Sequence, residues 1–396
     1  MERLTPRDAP ELARLVTDAA DAGRRLEIVG AGSKRSLGRP MDGVDTELDT
    51  GALSGIRSYE PDELVLTAGA ATPLDLITDT LAHGKQMLAF EPPDLSGART
   101  GGTLAGMVSA GLSGPRRIKA GAVRDFVLGF SAVNGRGETF KSGGRVMKNV
   151  TGYDLSKLVC GAWGTLAVLT EVTLKVMPAP EAETTLTVAT GEPGPALRLM
   201  SLALQSAADP TGAAYLPRAA ASAAGFAKAT VLIRLEGPAP SVAARLKLLA
   251  AIDGLGHGQA LDGDASSRAW QDIRDARPLG LTGDDYVWRV SVPPMGAMAV
   301  IEAVAAIDGA RYYCDWGGGL VWIAVPPAPD AHAGALRAAV ARVGGHATLL
   351  KAPDEVRRRV PVFEPLAPAL AALTRRVKRA FDPKGILNPS RMHEDQ

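Results

Sequence analysis

The chain has 396 residues, 46% hydrophobic and 22% charged, and a formal net charge of +1. That length exceeds what one core ordinarily organises, so two or three domains are expected, and the near-neutral charge removes any global case for nucleic acid or an anionic membrane as partner. Two cysteines, Cys160 and Cys314, cannot build a disulfide framework or supply the four thiolates of an iron–sulfur cluster, so redox chemistry needs another cofactor or a partner chain. The N-terminal MERLTPRDAP lacks the apolar core of a secretory signal, and no apolar run approaches the ~20 residues of a membrane span; the cytoplasm is the expected compartment.

In chain order, Thr5 and Pro6 read as a helix cap and first turn, with Leu12, Leu15, Val16 and Ala19 at helical spacing and Gly23 as the stop. LEIV (26–29) reads as a buried strand running into the loop GAGSKRSLG. Residues 64–67 form a second strand, and Thr72-Pro73 opens a helix that carries Leu74, Ile77 and Leu81 and closes at Gly84. DFVLGFSAVNGRGETFKSGG predicts two strands around an Asn-Gly-Arg-Gly turn, and TLAVLTEVTLKVMP (165–178) is the strongest strand signal, ended by Pro178. Beyond PAPEAE (178–183) the texture becomes strand, helix, strand. This predicts an antiparallel sheet covered on one face by helices, with RYYCDWGGGLVWIAV as a hairpin. In the tail, Leu366, Leu370, Leu373, Val377 and Phe381 share one helix face, with basic residues near its end.

Two glycine segments could carry chemistry. The first, Gly30-Ala31-Gly32-Ser33-Lys34, follows a strand, but Arg35 stands where a dinucleotide fingerprint needs its third glycine, and no P-loop spacing is present. The second, RTGGTLAGMVSAGLSGPRR (99–117), removes side chains so that turned backbone N–H groups can meet an anion, and Thr103 and Ser113 add hydroxyls. Its Leu104, Met107, Val108 and Leu112 mark it as a packed segment rather than a linker. Arg116 and Arg117 read either as a pyrophosphate contact or as solvated surface charge.

Taken together, GAGSK, PPD (92–94), GGTLAGMVSAGLSGPRR, GAVRDFVLG, GETFKSGGRVMKNVTGYDLSKL and GAWGTLAVLTEVTLKV resemble the FAD-binding domain of the vanillyl-alcohol-oxidase flavoproteins, the PCMH-type fold. GLSGPRR, VMKNVTGYDL and FDPKGILNPSRM more narrowly resemble the E-subunit family of bacterial glycolate oxidases. The resemblance implies an α+β protein with three parts. These are an FAD-binding domain over 1–180, a cap domain with an antiparallel sheet over 181–360, and a C-terminal helix and tail over 361–396 that packs back on the FAD domain. It further implies FAD pyrophosphate held by Gly30, Ala31, Gly32, Ser33 and Lys34 on one side and by Gly101, Gly102, Thr103, Gly106, Gly111, Ser113 and Gly114 on the other. Pro93, Arg116, Gly121, Ala122, Asp125, Val168 and Asn388 would complete the cofactor site.

Catalytic relatives place a histidine-rich motif where CDWGGGLVW (314–322) stands, and no histidine is there; the five histidines fall at no metal-ligand spacing, so no metal is expected. No histidine lies in either glycine loop, so the FAD is expected to be noncovalent. Lys148 and Tyr153 in KNVTGYD are candidates for proton transfer, set against a capped turn in which Asp154 is the N-cap. Asp315 and Trp316 are placed at a former substrate pocket, and Trp163 and Trp322 in packing. The resemblance thus implies a flavin subunit that assists electron transfer while a homologous flavin subunit oxidises glycolate to glyoxylate. An iron–sulfur subunit would complete the complex, in the cytoplasm or peripheral to the inner membrane. The alternatives are a self-sufficient FAD-linked D-lactate or 2-hydroxy-acid dehydrogenase, and a structural subunit.

Overall fold

A computed structural model describes residues 1–95, 102–144 and 153–394. The chain divides into two compact units. The first comprises residues 1–113, 121–179 and 365–396, and the second comprises residues 114–120 and 180–364.

In the first unit the helix Ala9–Ala22 is capped by Asp8, whose carboxylate accepts from Glu11 N at 2.8 Å, and it ends at Gly23 in the left-handed region. The cap is therefore Asp8 rather than Thr5. Leu12, Val16 and Ala19 on its inner face meet Leu26 and Leu48 of a small parallel sheet, whose strand order is Glu2–Leu4, Thr46–Asp49, Leu26–Val29. The tail extends that sheet: Leu26 N donates to Ile386 O and Asn388 N to Leu26 O, bringing residues 386–388 alongside the strand that feeds the first glycine loop.

A five-stranded antiparallel sheet follows, in the order Ile56–Glu60, Val65–Gly69, Ala167–Lys175, Val127–Asn134, Thr139–Gly143. The Thr/Val/Leu-rich segment read as the strongest strand is its centre, as expected of a strand buried on both faces. The hairpin at Asn134–Glu138 closes through the Asn134 side chain, which accepts from Arg136 N and Glu138 N.

The tail helix spans Pro368–Phe381, and its leucine stripe is not the buried face. Lys378 is its one buried residue, and Leu370 and Leu373 are about half exposed at 50% and 46%. Its fastening is polar: Lys378 Nζ donates to Thr165 O (2.7 Å), Leu387 O (3.0 Å) and Asp382 Oδ2 (2.7 Å), and Arg136 Nη1 donates to Ala380 O.

The second unit is built on an eight-stranded antiparallel sheet, in the order Gln259–Asp262, Ala182–Ala189, Thr230–Gly237, Gly212–Leu216, Arg311–Asp315, Leu320–Val325, Tyr286–Ser291, His346–Lys351. One face packs Leu186, Ile233, Tyr215, Val321, Trp288 and Leu349 against helices that contribute Leu197, Leu249, Val300 and Leu336. The other face is not bare, as one-sided covering predicts. The helix Gly263–Arg274 lies on it, with Trp270 Nε1 donating to Thr185 Oγ1 and the Trp270 ring against the Arg234 guanidinium. The hairpin Arg311–Asp315/Leu320–Val325 is present.

Candidate functional site

The first unit contains a cleft of about 790 Å³, part of it open to solvent, at the C-terminal end of the strand Leu26–Val29. The strand turns sharply there, with Arg35 N donating to Gly32 O and Leu37 N to Lys34 O. Arg391 braces the turn from the tail, its guanidinium donating to Lys34 O (2.7 Å) and Arg35 O (3.1 Å). Arg35 itself is spent on Glu27 and Glu47 and is not free for an anion.

The second glycine segment meets the first. A Cβ on Gly30 would stand 2.7 Å from Thr103 Oγ1, and one on Gly102, whose φ is +80°, would stand 2.8 Å from Ser33 Oγ and 3.0 Å from Lys34 Nζ. Bare backbone at both positions is what lets the loops touch. Thr103 starts the helix Leu104–Ala110, its hydroxyl accepting from Gly106 N at 3.3 Å. The backbone N–H groups of Ala31, Gly32, Ser33, Lys34, Gly102 and Thr103 donate to no acceptor among the described residues. Burial pushes the Lys34 ammonium below the usual lysine range, against an opposite pull from Asp94.

At the far wall Asn388 joins three strands of chain. Its Oδ1 accepts from Ile28 N (2.8 Å), and its Nδ2 donates to Trp163 O (2.8 Å) and would lie 2.6 Å from a Cβ on Gly164. A concave wall of unclaimed N–H groups, a lysine, and flanking Trp163 and Val168 fits a dinucleotide whose pyrophosphate needs donors and whose rings need apolar cover.

Of the residues expected to bind cofactor, Gly30, Ala31, Gly32, Ser33, Lys34, Thr103, Gly106, Val168 and Asn388 line this cleft. Gly102 adjoins it through Ser33 and Lys34. The others lie outside that lining. Gly111 has no room for a Cβ because Gly161 Cα would be 2.9 Å away, Pro93 is buried outside the lining, and Ser113 Oγ accepts from Val123 N. Asp125 accepts from Ala122 N and closes a turn after Gly121. Gly114 and Arg116 belong to the second unit, where Arg116 makes a two-pronged pair with Glu236 (3.0 and 2.7 Å). Arg116 is thus paired with a buried carboxylate and is not solvated surface charge.

Gly101 and Lys148 lie outside the described residues. Tyr153 is 90% exposed and does not line the cleft, while Asp154 caps the helix Leu155–Val159 by accepting from Lys157 N, the capped-turn alternative. Cys160 is half-buried, its thiol pushed up to about 12 by burial, so a thiolate is not available near neutral pH. The sequence reading missed Thr50, Ser109, Trp163, Gly164 and Arg391 in the lining. Gly164 and Arg391 stood inside the quoted segments GAWGTL and NPSRM, but only the glycine turn of the first carried a local signal.

An α+β unit with two converging glycine loops, together with a second unit built on a large antiparallel sheet, defines the PCMH-type FAD-binding fold. Comparison with known proteins agrees. Residues 3–143 match the family described as FAD binding domain, and residues 362–392 match the C-terminal domain of FAD linked oxidases. The chain is 35% identical over 384 residues to glycolate oxidase subunit GlcE of Escherichia coli, covering 97% of each chain. It is 33% identical over 191 residues to glycolate oxidase subunit GlcD of Bacillus subtilis, covering 46% of this chain and 38% of that one. The solved structure of p-cresol methylhydroxylase with substrate bound superposes with a TM-score of 0.74 at 14% identity, over 99% of this chain and 88% of that one. The chain belongs to the FAD-linked oxidase family that contains the glycolate oxidase subunit GlcE, and its cofactor is FAD. Among the described residues no helix is long and apolar enough to cross a membrane.

Proposed function

We propose that this chain is the flavin-carrying subunit of a glycolate oxidase-type complex, holding noncovalent FAD in the cleft of its first unit. The N–H groups of residues 31–34, 102 and 103 take the pyrophosphate, Lys34 balances its charge, and Asn388 fixes the wall against which the rest of the cofactor lies. FAD supplies a two-electron acceptor there. A homologous flavin subunit oxidises glycolate to glyoxylate, an iron–sulfur subunit takes the electrons onward, and the complex sits in the cytoplasm or on the inner face of a membrane. Likeness along nearly the whole chain to a named glycolate oxidase subunit supports this reading.

The observation that carries the division of labour is the hairpin Arg311–Asp315/Leu320–Val325. Its turn holds Trp316 and three glycines and offers no imidazole to accept a hydroxyl proton. The test is an absorbance spectrum of the purified chain, then anaerobic addition of glycolate with and without its partner subunits. Bound flavin that glycolate reduces only in the presence of partners is expected. Rapid reduction of the lone chain would make it a self-sufficient dehydrogenase, and a colourless chain after reconstitution would make it a structural subunit.

A further inference from the structure

The tail helix Pro368–Phe381 is fastened along one side and leaves an apolar row uncovered. On the fastened side Lys378 is buried, and the Phe381 ring centroid lies 5.8 Å from that of Phe140. Leu370, Leu373, Val377 and Ala380 run along the helix at alternating steps of three and four residues, about a third of a turn round from Lys378. Val377 is half-buried, Ala380 is exposed, and Leu370 and Leu373 are each about half exposed. Among the described residues no other helix carries two large apolar side chains so exposed.

The same helix is charged with one sign. It contains no aspartate or glutamate, and Arg376 and Arg379 are exposed and form no ion pair among the described residues. Arg376 stands one turn on from Leu373 and so borders the row, with Arg379 a further turn along. These features select the occupant. A second copy of this helix would bring like charge to like charge. A lipid surface is met by a broad apolar face, whereas a single row at three- and four-residue steps is the seam that one facing helix fills. The small, exposed Ala369, Ala372 and Ala380 let a facing backbone come close, and the bordering arginines match carboxylates on it.

We propose that this row is the docking seam for an amphipathic helix of a partner subunit, one whose apolar stripe is bordered by aspartate or glutamate. Lys378 ties the tail helix to Thr165 O and Leu387 O, so the seam is offered on an element already fixed in the free chain, and docking need order no new segment. That the partner is a subunit of the same complex rests on the proposed function; the seam and its charge rest on the helix itself.

The test is assembly of the FAD-loaded chain with the homologous flavin subunit and the iron–sulfur subunit, read by analytical ultracentrifugation, with a photo-crosslinking residue at position 373. A crosslink to an acid-bordered helix of a partner subunit is expected, with affinity about tenfold or more weaker in L370E/L373E, weaker by a smaller factor in R376E/R379E, and falling as salt is raised. Flavin content and melting temperature near those of the wild type show that the variants fold, and L370A/L373A keeps the test decisive if the glutamates loosen the tail. Assembly unchanged in the leucine variants, or a crosslink only to a second copy, would overturn the seam, and assembly unchanged in R376E/R379E would overturn its acidic partner. Sedimentation with phosphatidylglycerol vesicles that the leucine variants abolish, while assembly stays intact, would assign the row to a lipid surface instead. The two readings fail separately: a wild-type complex indifferent to the row sinks this inference alone, a colourless chain that docks through the row sinks the flavin-carrier reading alone, and a wild-type chain that joins neither subunit sinks both.

Discussion

Gly30 and Gly102 are the positions where one methyl group decides whether two loops can touch. In G30A the new Cβ would press on Thr103 Oγ1, and in G102A a residue at φ +80° would meet Ser33 and Lys34. Each substitution should weaken FAD binding by about ten- to a hundredfold, roughly 1.4–2.8 kcal/mol, with a smaller effect on melting temperature. Flavin titration checks this, and full occupancy at wild-type affinity would contradict it. Asn388 tests the opposite wall. N388A strands Ile28 N and Trp163 O and should cost about 1–3 kcal/mol in denaturant unfolding. Gly30, Lys34 and Asn388 were legible in the sequence because they stand in short ordered motifs. Arg391 was not, because its role is to hold carbonyls 356 and 357 positions upstream, which local spacing does not encode.

At the scale of elements, alternation and turn residues announced the strands and hairpins, and the tail helix was announced by its leucine stripe. What periodicity misjudged is which side of that helix is fastened. Lys378 is the buried anchor, and its ammonium satisfies two carbonyls and Asp382, whose carboxylate also accepts from Ile386 N and Leu387 N. K378M leaves the buried Asp382 carboxylate without its counter-charge, so a loss of about 3–5 kcal/mol is expected in denaturant unfolding, with detachment of residues 386–388 read by hydrogen exchange at Leu26 and Asn388. A loss under about 1 kcal/mol would contradict the anchor.

The segment 114–120 is tied into the second unit by an equally buried pair, Arg116 with Glu236, whose side chains are 11% and 5% exposed. Burial raises the pKa of Glu236, but Arg234 and Arg116 outweigh it and bring it to about 2. A carboxylate with a depressed folded-state pKa contributes stability that is fully present above its unfolded value near ~4.3 and is lost as pH falls towards 2. Acid unfolding should therefore steepen across that window, and E236Q, less stable at neutral pH, should show a flatter dependence there. An unchanged slope would show that the pair does not govern acid stability.

At the scale of the whole molecule, the far C-terminus returns to the first unit because residues 386–388 extend its parallel sheet beside the strand that feeds the glycine loop. The first unit is therefore assembled from three separate stretches of chain, and the second from two. The membership of residues 114–120 was hidden, since Gly-Pro-Arg-Arg gives no sign that its arginines face Glu236 and Trp316. On the proposed division of labour this chain holds FAD but leaves substrate oxidation to another subunit, and anaerobic mixing with glycolate, followed in the visible flavin band, reads that division directly. An unbleached band is expected for the isolated FAD-loaded chain and prompt bleaching in the assembled complex; prompt bleaching of the isolated chain would contradict it.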